Sequence, residues 1–368
     1  MAGSIYGKLF RISTWGESHG KALGVVIDGC PAGLPLSEQD IQTELDRRKP
    51  GANPFGTPRT EADEIEILSG VFEGKTTGTP ISLILYNQNN RSHDYSDITR
   101  YYRPGHADYT YDMKYGFRDY RGGGRSSGRE TAARVAAGAV AKKILDTLGV
   151  SVNAYTIAVG PISIDRERFD WAESRHNPLY MPDGAAYEAA AEYLLQTKAE
   201  NDSAGGVVEC LVEGLPAGVG EPVFDRLDAN LAKAILSIGA TKSIAFGEGF
   251  GAATMKGSEH NDSFCVNPDG STGKASNHAG GMLGGISDGS AIYFRVPFKP
   301  TASIARPQQT VNIDGEAIEI SIQGRHDPII VPRAVVVVEA MTAITLVDML
   351  FENSCATMDR LMKAYGRG

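Results

Sequence analysis

A run of three glycines, Gly122 to Gly124, shortly before a long Ala/Val-rich segment is the feature that most constrains the fold. Glycine adopts backbone angles that other residues avoid, and it lets the backbone approach a ligand closely. Ser127 and Glu130 stand three residues apart, which is the spacing of a capping box. Apolar residues then recur at helical spacing as far as Leu148. The pattern predicts a glycine loop that leads into a helix, with Ser127 as N-cap.

Arginines occupy positions 121, 125, 129 and 134 along this loop and helix. Helix N-termini attract anions through their free N–H groups and their dipole, and arginine adds bidentate bonds to phosphate or carboxylate. The segment therefore indicates an anion site. The alternative is structural, because glycine loops before helices are common and helical arginines often form only a solvated face. The spacing fits neither a P-loop nor a dinucleotide-binding fingerprint.

Length and charge narrow the class of protein. A chain of 368 residues with 42% hydrophobic content can bury a large core, and no low-complexity linker divides it, so we expect one domain over residues 1–368. The net charge is −9, although residues 103–134 hold six arginines and one lysine against four acidic residues. A positive pocket in an acidic protein fits a small anionic substrate better than a nucleic acid, which usually binds a basic domain.

The four cysteines, Cys30, Cys210, Cys265 and Cys355, have no C-x-x-C spacing. This favours reduced thiols and a cytoplasmic location over disulfides or a zinc site. The histidines also lack metal-binding spacings, so no metal is expected. We expect neither a signal peptide nor a membrane-spanning segment.

Two parts of the chain repeat the order strand, Pro-Ala-Gly turn, helix. The first copy comprises a strand at Leu23 to Asp28, a turn at 31–33 and a helix from Ser37 to about Arg48. The second comprises a strand at Val207 to Val212, a turn at 216–218 and a helix at about 222–237. We expect two similar halves related by a pseudo-twofold axis. Chance similarity of such common units is the alternative.

Three histidines, His19, His106 and His326, lie in compact motifs with glycine, arginine or aspartate. Histidine is the usual acid or base at neutral pH, so these are catalytic candidates, although a single histidine is more often structural. The motif Gly16 to Gly20 matches the letters of a nucleophile elbow. An elbow leads from a strand into a helix, whereas here a strand follows, so a hydrolase is not favoured.

Several motifs in one order closely resemble the chorismate synthase family. They are Gly16 to Gly20 with the strand that follows, Arg103 to Asp108, Arg121 to Val140, and Gly324 to Pro328. The resemblance extends from about Tyr6 to the last apolar helix. It implies an α+β fold, a β-α-β sandwich in which long helices at about 129–148 and 334–351 lie between antiparallel sheets. It also implies a homotetramer.

The resemblance implies a lyase of the shikimate pathway, which makes aromatic amino acids. The reaction is the anti 1,4-elimination of phosphate from 5-enolpyruvylshikimate 3-phosphate to chorismate, and it needs reduced FMN without net redox change. Asn53 and Pro54 stand where many relatives carry an arginine, which argues against an NADPH site. No large insertion accompanies the motifs, so reduced flavin is expected from an external source.

The family pattern also implies residue roles. His19 resembles the histidine that protonates the departing phosphate, and His106 the one that protonates reduced flavin. Asp327, with Ser18 and Ser127, resembles the group that relays a proton from flavin N5. The residues expected to contact FMN are Arg125, Ser126, Ser127, Gly239, Ala240, Gly284, Lys299, Pro300, Thr301, Ala302, Ser303 and Arg325. The arginines expected to bind the substrate's anionic groups are Arg48, Arg125, Arg129, Arg134, Arg325 and Arg333.

Two other classes of function remain open at this point. A non-catalytic flavin-binding protein would bind FMN and tolerate replacement of His19, His106 or Asp327. An RNA-binding protein acting through Arg121 to Arg134 would show salt-sensitive RNA affinity. The acidic net charge argues against the second.

Overall fold

The structure, a computed structural model, describes residues 3–49, 51, 55–56, 62–87, 97–322 and 327–366. Within these ranges the helices are α1 (Glu38–Arg48), α2 (Asp108–Tyr115), α3 (Thr131–Thr147), α4 (Trp171–His176), α5 (Gly184–Ala199), α6 (Leu227–Leu236), α7 (Gly257–His260), α8 (Val331–Asn353) and α9 (Met358–Ala364). The strands are β1 (Ile5–Tyr6), β2 (Arg11–Gly16), β3 (Ala22–Asp28), β4 (Ile65–Ser69), β5 (Val71–Phe72), β6 (Lys75–Thr76), β7 (Ile81–Tyr86), β8 (Ser151–Val159), β9 (Ile162–Ser163), β10 (Gly206–Glu213), β11 (Ala245–Phe246), β12 (Phe264–Val266), β13 (Thr272–Lys274), β14 (Met282–Leu283), β15 (Ile286–Ser287), β16 (Ile292–Phe298), β17 (Gln308–Val311) and β18 (Ala317–Ile320).

Two five-stranded antiparallel sheets form the outer layers of the fold. The first has the strand order β1-β2-β3-β7-β4 and the second β11-β16-β10-β8-β9. Fully buried residues face each other in register at the centre of each sheet, as Val25 does with Leu83 and Cys210 with Phe294. Alternate residues along these strands are buried, which is typical of a sheet that packs one face on a core.

The two sheets are built in the same way, as the repeated turn predicts. Read in reverse, the second sheet has the order β9-β8-β10-β16-β11, and its strands β8, β10, β16 and β11 match β2, β3, β7 and β4 of the first. The remaining edge strands differ, because β1 precedes β2 in the chain whereas β9 follows β8. The turns also bond alike: Gly33 N donates to Thr76 O, and Gly218 N to Ser287 O, both at 2.8 Å. The hydroxyls of Thr76 and Ser287 then donate to a carbonyl of the turn, that of Pro31 or Pro216. The predicted internal duplication is confirmed.

Helices α3 and α8 lie between the sheets and pack on each other. Helix α3 contacts β2, β3 and β7, whereas α8 contacts β8 and β10. They cross at Gly138, where an added Cβ would lie 2.3 Å from the Cβ of Ala340. Helix α8 is long and apolar enough to span a membrane, but 89% of its most apolar 18-residue stretch is buried inside the protein. The predicted sandwich with central helices is thus confirmed.

Two local predictions differ from the structure. Ser127 forms no capping box with Glu130, because its Oγ accepts from Arg129 N and a 3-10 turn, Gly128–Glu130, precedes α3. The predicted helix at 222–237 is divided, since Arg226 is extended and separates a 3-10 turn, Val223–Asp225, from α6. By contrast, Ser37 caps α1 and pairs with Asp40 as a capping box.

Candidate active site

The glycine loop packs directly on the first histidine motif. Ser18 is buried, and its Oγ lies 3.0 Å from Nδ1 of His19. A Cβ at Gly122 would lie 2.2 Å from that same Nδ1, so only glycine fits beside the imidazole. Two motifs about one hundred residues apart in sequence therefore meet, and the loop fixes the position of the His19 ring.

Side chains of the loop bind mainly to the protein itself. Arg125 donates from Nη1 to the Gly16 carbonyl at 3.0 Å and from Nη2 to Thr14 Oγ1 at 2.6 Å. Ser126 Oγ donates to the Gly123 carbonyl, and Ser127 Oγ accepts from the backbone of Arg129. These bonds tie the loop to β2 and hold its backbone in one shape.

A cavity of about 1260 Å³ opens beside this loop. Its walls include Gly122 to Ser126, Ala107 and Asp108, the N-terminal segment from Gly3 to Tyr6, and Ser237 near the end of α6. Cavities of several hundred cubic ångströms hold ligands of cofactor size, so this one has ample room. Its lining includes Ala107, which follows His106 in the chain, and Ser237, two residues before Gly239.

The second histidine lies against the segment that was predicted to bind cofactor. Nε2 of His106 is 2.9 Å from Ser303 Oγ, and Lys299 Nζ donates to the Gly105 carbonyl at 3.1 Å. The backbone N–H of Lys299 donates to the carbonyl of Ala240 at 2.9 Å. His106, residues 239–240 and residues 299–303 thus form one cluster.

This cluster contains buried hydroxyls that lack partners. Thr241 Oγ1 and Thr301 Oγ1 have no hydrogen-bond partner in the part of the chain that the structure describes. An unsatisfied buried hydroxyl is costly, and a bound ligand can supply the missing partner. Burial, together with the nearby charge of Lys242, lowers the pKa of Lys299. An anionic ligand would relieve the repulsion between these two ammonium groups, so the cluster fits a phosphorylated cofactor.

A second group, behind the loop, consists of arginines around one carboxylate. Arg48 at the end of α1 is completely buried, and its Nη2 lies 3.6 Å from Asp63 Oδ2. Arg129 donates from Nη1 to Asp63 Oδ1 and from Nε to Asn87 Oδ1. No guanidinium nitrogen of Arg48 has a hydrogen-bond partner among the described residues, and neither has Arg129 Nη2. Several charged donors here are available to an anion.

The electrostatics of this arginine group reflect crowding of positive charge. Burial and the charges of Arg333 and Arg129 together lower the pKa of Arg48 to about 9, although Asp63 opposes the shift. Arg333 donates to Asp327 Oδ2 at 2.9 Å. The predicted substrate residues Arg48, Arg129 and Arg333 are therefore neighbours, and Asp327, the predicted proton relay, is bonded to one of them.

Other predicted residues are placed differently. Arg134 is paired with Glu130 and donates to Ser237, so its guanidinium already has protein partners. Gly284 lies in the turn between β14 and β15, and a Cβ added there would meet no atom within 4 Å. Arg325 lies outside the described residues, as do His326 and the pair Asn53 and Pro54.

Sequence reasoning missed Asp63, Asn87 and Thr241. Asp63 stands in the acidic run Glu61-Ala62-Asp63-Glu64, which has the composition of a surface loop, yet its side chain is fully buried. The available signal was indirect. Several arginines converging on one place need a carboxylate to balance part of their charge.

Comparisons with known proteins agree on one family. A family model described as chorismate synthase matches residues 10–351. The chain is 62% identical over 365 residues to a chorismate synthase of Lachnospira eligens, with 99% of this chain and 100% of that protein covered. It is 60% identical to one from Agathobacter rectalis over 99% of both chains. A crystal structure of chorismate synthase superposes with a TM-score of 0.77 at 33% identity, over 98% of this chain and 97% of that one. The chain belongs to the chorismate synthase family.

Proposed function

We propose that this enzyme eliminates phosphate from 5-enolpyruvylshikimate 3-phosphate in an anti 1,4 sense and releases chorismate, as a carbon–oxygen lyase that holds reduced FMN. The observation that carries the proposal is the completely buried Arg48, whose guanidinium has no hydrogen-bond partner among the described residues. Asp63, 3.6 Å away, compensates this buried cation only in part, and an anionic ligand would complete the compensation. The proposed substrate has a phosphate and two carboxylates.

Binding of the substrate is assigned to the arginine group. Near Asp63, Arg48 and Arg129 have donors that bond to no described residue, and Arg333 adds a third positive charge. Charge-assisted bonds from guanidinium to phosphate or carboxylate are stronger than neutral ones and fix orientation. Fixed charges that face a developing anion also stabilise the transition state in a site that excludes water.

His19 is the proposed acid that protonates the departing phosphate. Gly122 and Ser18 hold its ring, so the proton is presented from one fixed position. A positioned general acid contributes about 10²–10⁴-fold to such a step. Asp327 is the proposed proton relay of the same reaction, with Ser18 and Ser127 in the proton path, and its bond from Arg333 orients the carboxylate.

The residues that would hold FMN are Arg125 to Ser127, Ala240 with its neighbour Thr241, and Lys299 to Ser303. Reduced FMN would supply electron density to the substrate without net oxidation, a chemistry that side chains lack. His106, whose Nε2 is 2.9 Å from Ser303 Oγ, is the proposed proton donor on this side of the cavity. The unpartnered hydroxyls of Thr241 and Thr301 support a ligand there.

The proposal includes the setting of the enzyme. Its four cysteines, all within the described residues, are free thiols, which is typical of a reducing compartment such as the cytoplasm. We further propose a homotetramer that receives reduced flavin from an external source.

The test is anaerobic turnover of 5-enolpyruvylshikimate 3-phosphate with photoreduced FMN, following phosphate release and chorismate absorbance together. Equal amounts of both products are expected. His106→Ala should retain FMN and lose at least about 10²-fold in rate, since a positioned acid is removed. His176→Ala is the matched control, because that histidine is exposed at the end of α4. FMN binding without product from the wild-type protein would contradict the proposal and favour a non-catalytic flavin-binding protein.

A further inference from the structure

One carboxylate, that of Asp63, is shared by two arginines of the candidate site. Its Oδ1 accepts from Arg129, whereas its Oδ2 has no hydrogen bond to any described residue and faces Arg48 at 3.6 Å. The side chain of Asp63 is completely shielded from solvent. Asp63 therefore neutralises these arginines only in part, and it leaves most of their donors free.

The charges of the group do not balance. Arg48, Arg129 and Arg333 face the carboxylates of Asp63 and Asp327, and the next carboxylate, that of Glu130, is paired with Arg134. Apart from that pair, three positive charges meet two negative ones among the described residues. A guanidinium has five N–H donors, and those of Arg48 are unused within the described part of the chain. An arriving oxyanion would add both the missing charge and the missing acceptors.

The backbone at Asp63 supports a specific role for this residue. Its φ is +49°, in the left-handed region that residues other than glycine seldom adopt. Asp tolerates this region better than most residues do, but the conformation still has a cost and marks a position that the surrounding structure maintains. Here it directs a carboxylate inwards, immediately before β4.

We propose that Asp63 is an internal counter-anion, which competes with the anionic group of the substrate for Arg48 and Arg129. The inference rests on the proposed function in one respect, namely that this arginine group receives an anion. Asp63 keeps the net charge of the arginine group close to neutral before the substrate binds. It also weakens the binding of phosphate, the product that must leave. Asp63 is thus a positioning and charge-balancing residue with no proposed part in the chemistry.

A counter-anion and a purely structural residue predict opposite signs of one measurement. If Asp63 competes with the ligand, Asp63→Asn removes the competitor, and anions bind more tightly. If Asp63 only holds the arginines in place, the same change lets them move, and anions bind more weakly. Electrostatic interactions over a few ångströms in a partly buried site are large enough for either effect to be measured.

The experiment is calorimetric titration of the full-length protein with inorganic phosphate at pH 7. We expect the Kd of Asp63→Asn to fall about tenfold below that of the wild type, because a like charge near the ligand is removed. Asp63→Glu keeps the charge and should stay within about threefold of the wild type. Glu209→Gln is the matched control, since Glu209 is equally buried and paired with Arg166 but lies outside the site; its Kd should not change.

Unchanged or weaker phosphate binding by Asp63→Asn overturns the proposal, as does equal tightening by Asp63→Glu. Should Asp63→Asn be too unstable for calorimetry, the rise in Tm on adding phosphate is compared instead. A rise larger than that of the wild type supports the counter-anion role, and an equal or smaller rise refutes it. Turnover of the wild-type enzyme is measured separately, so failure of the proposed reaction is distinguishable from failure of this inference.

Discussion

The buried carboxylate of Asp183 accepts hydrogen bonds from several parts of the chain. It accepts from the backbone of Ala185 and Ala186 as N-cap of α5, and also from the backbone of Asp165. Arg168 donates to both of its oxygens. The hydrogen bonds from Arg168, opposed by burial and assisted by the backbone donors, lower the pKa of Asp183 to about 2.

This lowered pKa predicts a pH-dependent contribution to stability. Because the folded pKa lies below the ordinary 3.8, the ionised carboxylate stabilises the fold above about pH 4, and the effect fades as the pH falls towards 2. Asp183→Asn should lower the free energy of unfolding by about 1–2 kcal/mol at pH 7 and by less at pH 3. Urea unfolding at both pH values measures this. The exposed Asp146→Asn is the control, and an equal loss at both pH values for Asp183→Asn would contradict the explanation.

At the scale of elements, the crossing of α3 and α8 depends on one glycine. In an isolated helix, alanine is more favourable than glycine by about 1 kcal/mol, so a change such as Gly138→Ala would stabilise an exposed helix. At this position the new Cβ would lie 2.3 Å from Ala340 Cβ and 2.6 Å from its Cα, and both belong to a buried helix. The clash should therefore outweigh the gain in propensity.

We expect Gly138→Ala to destabilise the protein by about 1–3 kcal/mol, the range for an overpacked core. The midpoint of urea unfolding tests this, with Gly184→Ala at the start of α5 as control. An added Cβ at Gly184 would meet only the side chain of Glu173, at an ordinary 3.6 Å. A Gly138→Ala protein as stable as the wild type would show that the two helices can move apart at no cost in stability.

Elements with strong periodicity were predictable from the sequence. The strand at Leu23 to Asp28 and the helix capped by Ser37 follow local rules, and the structure agrees with both. The start of α3 did not follow them, because a 3-10 turn and a capping box use the same residues in different hydrogen bonds. Local propensity does not distinguish the two.

The candidate site, too, was predictable from the sequence only in part. Motifs with unusual local composition, such as those around His19 and His106, were found by reading along the chain, and the structure brings His106 to the predicted segment at 299–303. Asp63 was not found, because its meaning comes from Arg129, 66 residues away. Pairing between distant charges leaves no local signal in a single sequence.

At the scale of the whole molecule, a buried ion-pair network joins the two halves. Glu339 on α8 is 3% exposed and accepts from Arg47 on α1 at 2.7 and 3.0 Å. Lys142 on α3 and the backbone N–H of Ala154 on β8 also donate to it, each at 3.0 Å. Burial alone would raise the pKa of Glu339, but Arg47 and Lys142 outweigh it and hold the pKa below its ordinary value.

Because this network spans α1, α3, α8 and β8, its loss should affect the whole fold. Glu339→Gln leaves Arg47 and Lys142 with less compensating charge, and breaking a buried pair in this way typically costs about 3–5 kcal/mol. Urea unfolding followed by both tryptophan fluorescence and circular dichroism measures the loss. The two signals should shift together if the halves unfold as one unit, whereas separate transitions would show that the repeats are independently stable.

The matched variant replaces the whole cluster, Arg47→Met with Lys142→Met and Glu339→Met, together with Glu44→Gln, because Glu44 pairs with both Arg47 and Lys142. Apolar residues of similar volume often equal a buried ion-pair cluster in stability, because no charge is then left unpaired. This combined variant should therefore be more stable than Glu339→Gln although it lacks more ionic contacts. A combined variant that is less stable than Glu339→Gln would mean that the network adds net stability, so that charge pairing as well as apolar packing holds the two repeats together.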